Sequence, residues 1–170
     1  MKKFSLVFLS ALLFVSAFFV GSASPVTAKE PKILEFDTMV GVPSTLTGTQ
    51  AAAAFRGVNA GGLAWTLTSA KGELKASGKL ELEIKGLVFA AGPNTGANTV
   101  ASFRAIVSCI KSDGTVQNTQ TDPFPATIGA ASAGGGNAEI ETMVAIPQPC
   151  FAPIIFITSP GGNWFAVTGN

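Results

Sequence analysis

Glu35 and Asp37 lie two residues apart, and so do Glu139 and Glu141. In an extended segment, positions i and i+2 project from the same side, so each pair places two carboxylates on one face. The pairs belong to an internal echo. Glu35-Phe36-Asp37-Thr38-Met39-Val40-Gly41-Val42-Pro43 aligns position by position with Glu139-Ile140-Glu141-Thr142-Met143-Val144-Ala145-Ile146-Pro147. Two such strands side by side would gather four carboxylates, which repel one another unless a cation joins them. Calcium accepts several carboxylate oxygens. Glu35, Asp37, Glu139 and Glu141 are therefore a candidate cation site, and a calcium-stabilised adhesive domain is one reading of the chain. The plainer reading is a wet face whose acids pair with scattered lysines. No DxDxDG-type calcium loop accompanies the acids.

Paired carboxylates also hydrolyse glycosidic bonds when they face each other across a cleft. Glu81 with Glu83, or Glu139 with Glu141, would be the acids of a carboxylate-dependent hydrolase, although neighbours on one strand face do not flank a substrate. Other catalytic routes find little material. The chain has no histidine and no tyrosine, which removes the commonest general base and every Ser-His or Cys-His pair. It has no GxSxG elbow and no Walker-type loop. Gly134-Gly135-Gly136 shares the glycine content of a phosphate cradle but lacks the Lys-Ser/Thr that follows one, and reads as a loop. No catalytic residue and no cofactor is expected.

Arg56 and Arg104 are the only arginines. Arg104 lies in an apolar stretch, where a guanidinium needs a partner; Asp37 and Asp122 are the acids considered. Trp65 and Trp164 would stack on sugars if exposed, but aromatic residues dominate core burial. Phe151, Phe156, Trp164 and Phe165 follow Cys150 closely and are expected to pack around it. Cys109 and Cys150 are the only cysteines. In an exported chain an even pair reads as a disulfide, with two buried thiols as the alternative. The loop it would close spans 41 positions, worth about 4 kcal/mol in the chain-entropy model.

The N-terminus carries an address. Met1-Lys2-Lys3 is positive, Phe4 to Val20 is uncharged and largely apolar, and small residues from Gly21 to Ala28 follow. This is the pattern of a signal peptide over residues 1–28. Val26-Thr27-Ala28 is the expected cleavage site, with Gly21-Ser22-Ala23 as a second point. Left uncleaved, the apolar run would be a membrane anchor of minimal length. Cleavage would leave a single domain over residues 29–170 without a membrane span, secreted or held at the cell surface. Loss of Lys2 and Lys3 leaves nine basic against ten acidic residues. That balance excludes a basic nucleic-acid binder, and 47% hydrophobic residues against 12% charged excludes a wholly disordered chain.

The elements that must position these residues read as strands. Lys79 to Lys85 (KLELEIK) alternates apolar and charged positions, as does Ala138 to Ile146. Val100 to Ile110 is apolar on both faces and reads as central. Ile33 to Val42, Leu63 to Ser69, Thr115 to Thr121, Phe151 to Thr158 and Trp164 to Thr168 complete the set. Asp113-Gly114 predicts a tight type I′ hairpin turn, and Lys71-Gly72, Ser77-Gly78 and Gly161-Gly162 are weaker turn signals. Gly92 to Asn98 and Gly129 to Asn137 read as flexible surface loops. Ala51 to Ala54 is the best helix former and is too short to stand alone. The fold class is all-β: an antiparallel β-sandwich, immunoglobulin-like or jelly-roll-like, with a small β-barrel as the alternative.

RGVNAGGLAW (Arg56 to Trp65), GELKASGKLELEIKGLV (Gly72 to Val88), FRAIVSC (Phe103 to Cys109) and SPGGNWFA (Ser159 to Ala166) together resemble small exported bacterial β-domain proteins of uncharacterised function. The resemblance implies a secreted bacterial β-domain and no particular activity. The GxLxxxGxLxxxxxGL rhythm from Gly72 to Leu87 is also similar to CHRD repeats, which carry histidines that this chain lacks. The expected function is non-enzymatic: binding an extracellular or cell-surface ligand, or contributing to an extracellular or cell-envelope assembly.

Overall fold

The computed structural model describes residues 29–47 and 54–169. Residues 1–28, read as a leader, and most of the Ala51–Ala54 segment lie outside the described residues.

Alternation in KLELEIK has the expected consequence. In β5 (Lys79–Lys85), Leu80, Leu82 and Ile84 are buried, while the lysines and glutamates face water. β5 pairs antiparallel with β4 (Ser69–Lys75) on one side and β12 (Ala138–Met143) on the other, and β4 pairs with β1 (Lys32–Phe36). The resulting sheet has the order β1-β4-β5-β12 and is antiparallel throughout. Ser77-Gly78 closes the β4–β5 hairpin: Gly78 adopts a φ of 93° and its N–H donates to the Lys75 carbonyl.

The second sheet is built on β8 (Ser102–Ile110), buried on both faces as its sequence implies. On one side it pairs with β13 (Phe151–Thr158), followed by β14 (Trp164–Thr168) and β2 (Met39–Gly41). On the other side β9 (Val116–Gln120) and then β10 (Phe124–Pro125) line the same edge of β8. Two small ribbons complete the structure. β3 (Trp65–Thr66) pairs with β6 (Val88–Phe89), and β7 (Ala97–Asn98) with β11 (Gly129–Ala130).

The sheets share one core. Leu74, Leu80, Ile84 and Ile140 meet Phe103, Val107, Ile155 and Ile157. Trp65 stacks on Phe165 with ring centroids 3.9 Å apart, a geometry that adds to area burial. The far face of the six-stranded sheet supports a second core of Val42, Val58, Ala60, Ile106, Ile154, Phe156 and Trp164. The architecture is a stack of antiparallel sheets with free edges, consistent with a sandwich, and it is not a closed barrel.

Cys109 and Cys150 form the expected disulfide, with Cα atoms 5.0 Å apart. Cys109 is fully buried in the inter-sheet core. The aromatic cluster expected around it does not form. Phe156 and Trp164 belong to the second core, Phe165 to the first, and Phe151 is 52% exposed.

Other expectations are also corrected. Ile33 to Val42 is not one strand, because the chain bends at Asp37-Thr38 and passes from the first sheet (β1) to the second (β2). Leu63 to Ser69 contributes only the short β3 and the start of β4. Lys71-Gly72 lies inside β4 rather than in a turn. The Asp113-Gly114 hairpin exists, but of its loop residues only Gly114 has positive φ (79°). It is a three-residue loop ending in a left-handed glycine rather than a type I′ turn. The Thr115 hydroxyl and N–H both donate to Asp113 Oδ1, at 2.6 and 2.9 Å. The two segments read as flexible loops contain β7 and β11, which pair with each other. Asn98 is fully buried there and donates from Nδ2 to the carbonyls of Val100 and Thr127.

Replacing both cysteines by alanine is expected to lower unfolding stability by about 4 kcal/mol, since the denatured chain regains the freedom of the open loop. Denaturant titration of the oxidised protein and the double variant measures the difference.

Candidate functional site

Glu35, Asp37, Glu139 and Glu141 all line one surface, the outer face of the β1-β4-β5-β12 sheet. It forms a shallow, solvent-open concavity of about 840 Å³. The four acids do not converge. β1 and β12 are the two edges of that sheet, with β4 and β5 between them. Three strand spacings separate them, about 14 Å. The side-by-side arrangement that a shared cation needs is absent, and no group of three or more potential metal ligands is clustered among the described residues.

The echo nevertheless has a geometric basis. Phe36 pairs with Gly72, Gly72 with Leu82, and Leu82 with Ile140, so the four form one row across the sheet. In this register, a two-fold axis through the Gly72–Leu82 pair carries Phe36 onto Ile140, Glu35 onto Glu139 and Asp37 onto Glu141. Only Glu35–Asp37 and Glu139–Glu141 follow this symmetry, at the two edges of the sheet; beyond Asp37 the first copy passes to the second sheet, and burial diverges, with Met39 buried and Met143 exposed. Gly72 is required at its centre, because a Cβ there would lie 2.5 Å from the Glu81 carbonyl oxygen and 2.6 Å from Leu82 Cδ2.

Register also organises the charge. Glu35, Glu73, Glu81 and Glu141 form one cross-strand row, and Lys32, Lys75 and Lys79 form the next. Directly opposed like charges are unfavourable, and the lysine row relieves them. Lys32 bridges Glu35 and Glu73 at 2.6 and 2.5 Å. Lys75 lies 3.2 Å from Glu73 and 3.8 Å from Glu81. Lys79 reaches Glu81 at 2.5 Å and Glu141 at 3.1 Å. The result is an unbroken alternation Glu35–Lys32–Glu73–Lys75–Glu81–Lys79–Glu141 across all four strands. A second group joins Lys71 and Lys85 to Glu83, each at 2.6 Å. Asp37 and Glu139 are left over: among the described residues neither lies within ion-pair distance of a cation. The face therefore has two more carboxylates than lysines.

These pairings set the titration. Hydrogen bonds from Lys71 and then Lys85 hold the Glu83 carboxyl down at about 2, against 4.5 ordinarily. Lys32 and then Lys75 lower Glu73 in the same way. Glu81, and after it Glu141, raises Lys79 above its ordinary value. A hydrolase acid must hold a proton near neutrality, which requires a raised carboxyl pKa. At Glu83 and Glu73 the lysines act in the opposite direction.

Arg104 takes neither proposed partner. Its Nε is buried without a hydrogen-bond acceptor, and no ion pair joins it to Asp37 or Asp122. Arg56, the other arginine, bonds to main chain rather than to an acid. It covers the far face of the second sheet, where Nη1 donates to the Ala152 carbonyl at 2.8 Å and the Ser108 carbonyl at 3.2 Å. Trp65 is buried in the inter-sheet core and Trp164 in the second core, so neither offers a sugar platform. Within Gly134-Gly135-Gly136, Gly135 packs against the backbone of Gly129 and Gly136 against that of Leu87. Among the described residues, no helix is long and apolar enough to cross a membrane. No protein-family model, curated protein or solved structure matches the chain.

Glu83 titrates lower in the folded state than in the unfolded chain, so its contribution to stability is present above about pH 4.5 and is lost as pH falls towards 2. Glu73 acts with the same sign. Lys32, Lys79 and Lys85 are raised, so their contribution is present below about pH 10.5 and is lost above it. The melting temperature is expected to be flat near neutrality and to drop below pH 4.5. About 1 M salt should shrink the acid-side drop, because the Debye length falls to about 3 Å. Glu83→Gln should also reduce it. Calorimetry at pH 7 and pH 3 checks both.

Proposed function

We propose that the chain is a non-enzymatic, exported β-sandwich domain that binds an extracellular or cell-surface partner, or contributes to a cell-envelope assembly, through the charged face of its four-stranded sheet. The supporting observation is the ladder. Each lysine of that face is held by glutamates, which fixes the charge pattern before a partner arrives, and preorganisation lowers the cost of binding. Asp37 and Glu139 supply the surplus negative charge at opposite edges, so a partner with spaced positive groups fits best. The disulfide suits an oxidising compartment outside the cytosol. The leader pattern points the same way.

Two measurements test this reading. N-terminal sequencing of protein recovered outside the producing cells should begin at Lys29. The purified domain of residues 29–170 should co-sediment with isolated envelope material from the source cells in a salt-dependent manner. The pair Asp37→Asn with Glu139→Gln should weaken that binding by roughly tenfold. Retention unchanged by the double substitution, or no retention at low salt, overturns the assignment of this face.

A further inference from the structure

The sheet edges are not protected equally. An exposed edge presents unpaired N–H and C=O groups, and proteins blunt it with charge, proline, bulges or brevity. β1 carries Lys32 and Glu35 and a register irregularity between Lys32 and Leu34. β12 carries Glu139 and Glu141. β2 has three residues, and β10 has two and ends in Pro125. β9 has none of these defences. Its sequence VQNTQ, flanked by Thr115 and Thr121, contains no charge, proline or glycine. It pairs with β8 over five consecutive positions without a register shift. Among the described residues no strand pairs with its other side.

The orientation of the free groups follows from the hairpin. Lys111 N–H donates to the Thr115 carbonyl and Thr121 N–H to the Ala105 carbonyl. Residues 115 and 121 thus face β8, and antiparallel alternation adds Gln117 and Thr119. Val116, Asn118 and Gln120 then turn their N–H and C=O groups away from β8. These three residues are spaced evenly about Asn118.

We propose that β9 is the self-association edge of the protein and pairs with β9 of a second copy about a two-fold axis at Asn118. In that register Asn118 opposes Asn118, and Val116 opposes Gln120 of the other chain. All three outward residues then fall in hydrogen-bonded pairs, and six backbone hydrogen bonds form. Thr115-Val116-Gln117-Asn118-Thr119-Gln120-Thr121 brings no charge against its own copy, so nothing opposes self-pairing, in contrast to the carboxylates of β12. A two-fold contact uses the same edge on both copies and closes, giving a dimer with one continuous sheet rather than a fibre. Exposed Val116, next to Ile110 and Phe151 in a cross-strand row, gains cover. With only five residues per chain, the contact is small and the dimer is concentration-dependent.

Sedimentation equilibrium of residues 29–170 up to about 1 mM should show a monomer–dimer equilibrium. Val116→Lys combined with Gln120→Lys sets lysine against lysine twice and should raise the dissociation constant at least roughly tenfold. Val116→Lys combined with Gln120→Glu sets lysine against glutamate and should keep the dimer, more tightly at low salt. Both side chains are exposed, and circular dichroism with melting checks the fold of each variant. A monomer at all concentrations, open-ended oligomers, or equal behaviour of the two double variants overturns the proposal.

Discussion

The six-stranded sheet has two apolar faces, and both must be buried. β8 and β13 place Phe103, Val107, Ile155 and Ile157 towards the first sheet, and Ile106, Ile154 and Phe156 away from it. One cover is the four-stranded sheet. The other is irregular chain: Val42, Val58 and Ala60 lie over the far face, Phe55 meets Phe156 edge-on at 5.9 Å, and Arg56 ties that cover to backbone carbonyls. A short loop cannot supply as much apolar area as a sheet, so the second core is the smaller one. Demand for cover also explains why the charged residues concentrate elsewhere. The outer face of the four-stranded sheet is where this chain has strands whose second side needs no burial.

On that face, register turns scattered lysines and glutamates into ordered rows. Individually, exposed ion pairs contribute little. Their value here is geometric, because long side chains that would sweep through solvent are held in one pattern across four strands. The pseudo-two-fold places Glu35-Phe36-Asp37 and Glu139-Ile140-Glu141 at the two edges, so the same alternation that turns Phe36 and Ile140 towards the core exposes Glu35, Asp37, Glu139 and Glu141.

Much of the fold was legible in the sequence because period-two alternation is a direct consequence of the pleat. KLELEIK follows from it; the doubly apolar β8 was legible as an uninterrupted apolar run, and the Ser77-Gly78 and Gly161-Gly162 turns from glycines that take positive φ at Gly78 and Gly162. What escaped depends on contacts between distant segments. The split between β1 and β2 occurs at Asp37-Thr38 without glycine or proline to mark it, and the inward phase changes there: Leu34 and Phe36 turn to the core before it, Met39 is buried and Val40 exposed after it. Gly72 looked like a turn residue, yet its missing side chain serves a close approach between β4, β5 and Phe36. The acids of the echo were visible, but their separation was not, since sequence gives no strand order for segments so far apart. The Gly-rich segment from Gly129 to Asn137 read as a flexible surface loop because small residues leave no periodic signal. Its order comes from backbone contacts made by the absence of side chains.

That last segment bears on where the chain can be lengthened. Gly135 and Gly136 fit so closely against Gly129 and Leu87 that a single methyl group would overlap main-chain atoms, and Asn137 Oδ1 accepts from the Gly86 N–H at 2.9 Å. A tag or reporter spliced into this apparent spacer would pry β11 from β7 and disturb the start of β12. The hairpin tip at Gly114, where nothing lies within 4 Å of an added carbon, is a place where evolution or an engineer has room to graft a new loop.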